Sequence, residues 1–162
     1  MLRPVCSADG AAICAVYNHY IENTIISFEE TPLQTAEMEE RIREISAKYP
    51  FLVWEEEGGE INGYAYANTW RARSAYRHSA EVSIYLKNGF QGRGIGRELM
   101  TKLLAELRKT DIHTLVAGIA LPNENSVALH EKFGFKKAAH FGEIGRKFGK
   151  WLDVGYWELI LN

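Results

Sequence analysis

From Ala80 to Leu86 apolar and polar residues alternate, with Ala80, Val82, Ile84 and Leu86 on one side and Glu81, Ser83 and Tyr85 on the other. This period of two predicts a strand with two unlike faces. Farther along, Ile95, Leu99, Met100, Leu103, Leu104 and Leu107 recur at helical spacing, which predicts an amphipathic helix. Between the two patterns lies Gln91-Gly92-Arg93-Gly94-Ile95-Gly96. The glycines open the helix with bare backbone, where first-turn N–H groups lack intrahelical partners and the helix dipole is positive. Such a terminus suits an anion, a phosphate group above all. A tight strand-to-helix turn without a ligand is the other reading that the spacing allows.

The same reasoning divides the rest of the chain. Residues 2–6 read as a short strand, and Ser7 or Asp9 can cap the helix after it. In that helix Ile13, Val16, Tyr17, Tyr20 and Ile21 form a buried stripe, with His19 packed beside it. Residues 24–32 break the helical period yet carry Ile25, Ile26 and Phe28. Such a loop either lines a site or is tucked onto the core. A second helix is expected over residues 35–48, stopped by Pro50. Residues 51–56 and 60–68 form a hairpin around Gly58-Gly59, and Glu55-Glu56-Glu57 make its solvated end. Residues 113–119 read as a strand buried on both faces. Asn123 caps a short helix that ends at Gly134. Further strands follow, with a turn at Gly149-Lys150.

Composition narrows the class. The 162 residues, 46% hydrophobic and 25% charged, fit one soluble globular domain spanning residues 1–162. A formal charge of −2 without a basic run argues against nucleic acid or an anionic membrane as partner. No apolar stretch approaches a membrane span, and the N-terminus is no signal peptide. Cys6 and Cys14 form neither a disulfide framework nor a metal pair, so a cytoplasmic location is expected. His19, His78, His113, His130 and His140 show no ligand spacing, and no metal is implied.

The linker Trp70-Arg71-Ala72-Arg73-Ser74-Ala75-Tyr76-Arg77-His78 is rich in arginine for an acidic chain. Guanidinium groups pair bidentately with carboxylate or phosphinate, so this segment reads as a pocket wall for an anionic substrate. The alternative is a solvated loop whose arginines pair with Glu55, Glu56 and Glu57. The glycine turn itself excludes two nucleotide fingerprints. A triphosphatase loop needs Gly-Lys-Ser/Thr, whereas Gly96 is followed by Arg97-Glu98. A dinucleotide fold needs a third glycine where Arg97 stands.

Two motifs in order carry more information than either alone. Strand, Gln91-Gly92-Arg93-Gly94-Ile95-Gly96, helix and strand, followed by the run from Asn123 to Phe135, resemble the GNAT superfamily of acetyl-CoA-dependent N-acetyltransferases. Tyr17-Asn18, Thr31-Pro32, Ala80-Glu81, His130 and Gly149-Lys150-Trp151-Leu152-Asp153-Val154-Gly155-Tyr156-Trp157 resemble its phosphinothricin N-acetyltransferase subfamily. The resemblance covers nearly the whole chain. It implies an α/β (α+β) fold with a mixed, mostly antiparallel sheet flanked by helices and split at the cofactor cleft. Members acetylate the α-amino group of phosphinothricin, methionine sulfone and methionine sulfoximine, and commonly form homodimers.

Carried over by position, the resemblance assigns Ile84, Tyr85, Leu86, Gly92, Arg93, Gly94, Ile95, Gly96, Arg97 and Asn123 to acetyl-CoA. It assigns Arg71, Ala72, Arg73 and Glu81 to the substrate, with Phe28 and Glu29 near it. Acetyl transfer then sets three demands: the ammonium must lose a proton, the oxyanion needs donors, and the thiolate needs a proton. Glu81 suits the first, particularly if burial raises its pKa; pairing with a linker arginine is its other reading. Backbone N–H groups near Tyr85 and Leu86 suit the second if the strand is bulged or splayed. His130 stands where the superfamily pattern has a tyrosine that acts as general acid, and histidine is a capable proton donor or shuttle. A helix histidine bonded to a neighbour is the alternative there.

The expected reaction is direct attack by the amine in a ternary complex, since neither cysteine lies in an acyl-enzyme motif. Rivals are acetylation of another amine (a protein N-terminus, a polyamine or an aminoglycoside) and an acyl-CoA-binding module without turnover. The arginines speak against polycations, and Glu81 with His130 against a mere binder. A nicotinamide dehydrogenase is the weakest rival.

Overall fold

The computed structural model describes residues 1–161. Its elements run β1 (Leu2–Pro4), α1 (Gly10–Asn23), α2 (Thr35–Ser46), β2 (Phe51–Glu55), β3 (Ile61–Thr69), β4 (Ser79–Leu86) and α3 (Ile95–Leu107). Then follow β5 (Thr114–Leu121), α4 (Glu124–Lys132), β6 (Lys136–Lys147) and β7 (Lys150–Ile160). The seven strands form one sheet in the order β1-β2-β3-β4-β5-β7-β6. Every neighbouring pair is antiparallel except β4 and β5. The mixed, mostly antiparallel sheet expected from the sequence is present, with its parallel pair inside.

Alternation along each strand decides which helix a side chain meets. Leu52, Ala65, Val82 and Leu115 join Leu99 and Leu103 of α3 in one buried cluster. Phe51, Val53 and Tyr64 join Ile13 and Ile21 of α1 and Met38 and Ile42 of α2 in another. Each fully buried aliphatic side chain contributes about 1.5–3 kcal/mol, so the sheet is clamped from both sides. β5 departs from the expected burial on both faces. Leu115, Ala117 and Ile119 are buried, but Val116 is half-buried and Gly118 exposed, because α1 and α2 pack chiefly on β2, β3 and β4.

Local details also differ from the sequence reading. Neither Ser7 nor Asp9 caps α1 through its side chain. A 3-10 turn at Ser7–Asp9 intervenes, and Asp9 accepts two Arg3 N–H groups and the Cys6 N–H, each at 2.8 Å. Glu55 is not a solvated hairpin end: it accepts from Arg3 Nε at 2.7 Å. Among the described residues no helix is long and apolar enough to cross a membrane.

The feature that positions the site is a splay. β4 pairs with β5 only from Ser79↔Thr114 to Glu81↔Val116. Beyond that, β5 continues along β7 to Leu121↔Asp153, while β4 stays with β3 in unbroken register to Gly63↔Leu86. The strand is therefore splayed but not bulged. The Lys87 N–H bonds Asn62 O across β3 at 2.9 Å, and His78 O accepts from Thr114 N at 3.2 Å on the β5 side. Backbone direction alternates along an antiparallel ladder. Tyr85 thus aims its N–H at β3, and Ile84 and Leu86 aim theirs into the opening. Of the N–H groups around Tyr85 and Leu86 expected as donors, those of Ile84 and Leu86 face the opening and that of Tyr85 does not.

Candidate active site

The V between β4 and β5 opens into a cleft of about 930 Å³ that α3 and α4 flank. Ile84, Leu86, Gly92, Gly94, Gly96, Arg97 and Asn123 all line it. Gly94 precedes α3 with φ 84° and no side-chain cap, and Gly92 has φ 77°. Both need glycine for its conformational freedom, since a Cβ at either would meet nothing within 4 Å. At Gly96 a Cβ would stand 3.4 Å from Leu129 Cδ2, an ordinary contact where α3 approaches α4. One charge at a helix N-terminus is worth only about 0.3–1 kcal/mol, so a polyanion must draw on several N–H groups at once.

Three residues expected at the cofactor face elsewhere with their side chains. Arg93 lays its guanidinium 4.4 Å from the Phe90 ring centroid. Ile95 is 3% exposed and belongs to the core on the α3 side. Tyr85 turns its ring into an aromatic cluster with Tyr17, Tyr20 and Tyr64, at centroid distances of 5.2, 5.2 and 5.4 Å. Of the three, Ile95 is buried and can offer only its backbone. Asn123 caps α4 as expected, accepting from Ser126 N at 3.2 Å.

Glu81 points to the sheet face opposite α3. Its carboxylate is half-buried beside Gly118, where a Cβ would stand 3.3 Å from Glu81 Oε1 and 3.0 Å from the Tyr156 ring. Burial pushes its pKa above the usual carboxylate value, and the Arg71 guanidinium opposes part of that rise. No ion pair joins the two among the described residues. Arg71 instead lies 4.9 Å from the Trp70 ring centroid, and Trp70 meets Tyr156 edge-on at 5.5 Å. Ala72 and Arg73 are exposed and start the 3-10 turn Ser74–Tyr76. Among the described residues the arginine linker forms no ion pair with Glu55, Glu56 or Glu57.

A smaller cavity of about 50 Å³ sits in the throat of the V, lined in part by Ser83, Ile84, Gly118, Asn123 and His130. His130 is 3% exposed. Its Nδ1 donates to Ser126 O at 2.8 Å, and its buried Nε2 has no partner among the described residues. Burial holds its pKa below the usual histidine value. A neutral ring with its proton on Nδ1 presents Nε2 as an acceptor. Of the donor and shuttle roles open to His130, that state suits the shuttle better, because donation from Nε2 needs the charged ring that burial disfavours.

The segment between α1 and α2 closes the site. Glu29 accepts a bidentate pair from Arg41 at 2.8 and 2.6 Å and a short hydrogen bond from Tyr17 Oη. Arg41 above all holds the Glu29 carboxyl below its usual range. Phe28 is 41% exposed and lays its ring against bare Gly145 of β6. Ile26, in the loop whose apolar residues read as either site lining or core, lines both cavities; sequence reasoning missed Tyr20, whose hydroxyl donates to Leu86 O on the splayed edge. It also missed Gly118, although a glycine within an apolar strand signals a close approach.

Comparison with known proteins agrees with this geometry. The Acetyltransferase (GNAT) domain family model matches residues 2–155. A phosphinothricin N-acetyltransferase of Streptomyces viridochromogenes is 38% identical over 157 residues, covering 97% of this chain and 85% of that protein. An L-methionine sulfoximine/L-methionine sulfone acetyltransferase of Salmonella typhimurium is 36% identical over 165 residues, covering 99% and 94%. Among solved structures, a GNAT superfamily phosphinothricin acetyltransferase of Sinorhizobium meliloti in complex with acetyl-CoA superposes with a TM-score of 0.97 at 35% identity, covering 100% of this chain and 88% of that one. The chain belongs to the GNAT family of acetyl-CoA-dependent N-acetyltransferases.

Proposed function

We propose that the protein acetylates the α-amino group of a small, anionic amino-acid-like substrate: phosphinothricin, methionine sulfone or methionine sulfoximine. The observation that carries this reading is the Glu81 carboxylate, half-buried, raised in pKa and faced by Arg71 beside the splayed edge of β4. The names of the relatives supply the substrate class.

Acetyl-CoA supplies the activated acyl group, and the uncapped start of α3 with its two left-handed glycines fits a pyrophosphate. Gly92, Gly94, Gly96 and the backbone at Arg93, Ile95 and Arg97 hold it, while Asn123 lines the facing wall. The N–H groups of Ile84 and Leu86 stabilise negative charge on oxygen in the opening. Arg71 and Arg73, with Ala72 between them, hold the acidic group of the amine substrate. Phe28 and Glu29 form the opposite wall.

Glu81 takes the ammonium proton of the substrate at a carboxylate oxygen, directly or through a water. A second proton must leave the nitrogen as the amide forms. His130 Nε2, a bare acceptor in the throat of the V, takes that proton and returns it to the departing sulfur. Attack is direct, in a ternary complex: Cys14 is buried, and neither cysteine lines the two cavities. One domain in the cytoplasm suffices for this chemistry. A homodimer is supported by Phe141, Ile144, Phe148 and Trp151, which lie 46%, 57%, 57% and 60% exposed along β6, its turn into β7, and β7.

Thiol release from acetyl-CoA tests the reading, with each of the three amines offered separately against a blank without amine. Saturable release with at least one of them is expected. Acetyl-CoA binding without release for any of them would overturn the substrate assignment.

A further inference from the structure

Lys147, the last residue of β6, is 3% exposed and forms no ion pair among the described residues, although the Glu30 carboxylate is near enough to favour its charge. Its ammonium donates to Ser27 O at 2.6 Å, Thr24 O at 2.8 Å and, more weakly, Tyr20 O at 3.4 Å. Nζ also lies 5.0 Å from the Phe148 ring centroid. The acceptors are all backbone carbonyls, one at the C-terminal turn of α1, where the helix dipole favours a cation. Burying an ammonium is costly unless its donors are met. Here three carbonyls meet them, and two of these, Thr24 O and Ser27 O, belong to a segment without helix or strand of its own.

The segment carries Ile26, Phe28 and Glu29. Its far end is pinned separately, with Leu33 N donating to Asn18 Oδ1 at 2.8 Å and Asn18 Nδ2 to Leu33 O at 2.9 Å. Two residues before Lys147, on the same face of β6, Gly145 leaves the space that the Phe28 ring occupies. Ser27 Oγ in turn lies 3.0 Å from Tyr17 Oη and accepts from Glu29 N at 3.2 Å. The end of β6 therefore grips the segment twice, by charge at Thr24 and Ser27 and by shape at Phe28.

We infer that Lys147 and Gly145 are positioning residues for amine recognition. They set where Phe28 and Glu29 stand without touching the amine. Within residues 24–33 only Ile26 lines the acetyl-CoA cleft among the described residues, and the rest of its wall comes from Tyr20, β4, the glycine loop, α3 and α4. The inference rests on the acetyl-transfer reading for its kinetic readout only.

The test compares Lys147→Met, Lys147→Arg and Gly145→Ala with the wild type. Amine KM, acetyl-CoA dissociation constant and amide hydrogen exchange of residues 24–33 are the readouts. In Lys147→Met the amine KM is expected to rise on the order of ten- to a hundredfold. The acetyl-CoA constant stays within about threefold, and exchange accelerates in residues 24–33 alone. Lys147→Arg, which can still reach the carbonyls, recovers most of the loss. Gly145→Ala raises amine KM without changing acetyl-CoA binding, and it decides the matter should Lys147→Met fail to fold. Unchanged exchange in residues 24–33, or amine and acetyl-CoA constants that move together, would overturn the inference. If the wild type acetylates no amine, the functional reading falls, and local exchange in Lys147→Met still decides the grip.

Discussion

The Glu81 carboxylate meets Gly118 two residues beyond the last parallel pair of β4 and β5, Glu81↔Val116, and any side chain at 118 would crowd it. A Cβ there would press on Glu81 Oε1 at 3.3 Å and on Tyr156 at 3.0 Å. Both contacts are tight, and Tyr156 is held edge-on by Trp70 and Phe141 at 5.5 and 5.8 Å. Gly118→Ala is therefore expected to displace the carboxylate. Turnover falls on the order of ten- to a hundredfold, while acetyl-CoA still binds. Steady-state kinetics beside calorimetric titration of acetyl-CoA check this; wild-type turnover would show that the carboxylate has room to move.

The charge balance at Glu81 predicts a pH profile. A general base works deprotonated, so kcat/KM rises with pH through the Glu81 pKa. Burial raises that pKa, and Arg71 lowers it in part. Removing the guanidinium in Arg71→Ala takes away the opposing influence, so the acidic limb moves to higher pH. Glu81→Gln removes the limb and lowers kcat by roughly 10²–10⁴. An acidic limb that stays in place in Arg71→Ala would mean that the titrating group is not Glu81.

Much of this site was legible because its parts are local. The strand of alternating faces, the glycine turn and the helix after it are adjacent in the chain, and each has its own period. What the sequence does not disclose is where strands part. The splay depends on β5 following β7, whose residues lie more than thirty positions later in the pairing Leu121↔Asp153. Tyr20 was legible as core but not as a donor to Leu86 O, because a buried tyrosine fills a stripe as phenylalanine would, and its hydroxyl finds its partner in another element. The resemblance puts Glu29 near the substrate, yet its charge is already taken by Arg41 of α2. The Lys147 ammonium gave no signal at all, since a lysine at a strand end is ordinarily solvated.

The left-handed backbone ahead of α3 makes a separate prediction. Gly94 has φ 84° with open space around it, so alanine there strains the turn without a clash. The left-handed conformation costs an ordinary residue about 1–2 kcal/mol. If the strain is relieved by rotating the N–H groups away from the cleft, acetyl-CoA affinity falls about tenfold, since 1.4 kcal/mol is a factor of ten. Titration of Gly94→Ala with acetyl-CoA and with dephosphorylated pantetheine separates the two contributions. The loss belongs to the pyrophosphate contact only if the smaller ligand binds as in the wild type.

His130 offers the sharpest test, because its state can be observed directly. With Nδ1–H held by Ser126 O and Nε2 buried, the folded ring stays neutral below the usual histidine range. The unfolded chain takes up the proton near pH 6.5. Between the two pKa values the unfolded state binds more protons, so His130 makes stability fall as pH drops through that window. The variant His130→Gln lacks this dependence, and the difference between the two stability curves isolates it. Nitrogen chemical shifts in a labelled ring are expected to show Nδ1 protonated and Nε2 bare at neutral pH. A ring charged at neutral pH would restore direct donation to the thiolate and remove the need for a relay. The shift measurement thus decides between an acid and a relay, independently of any rate.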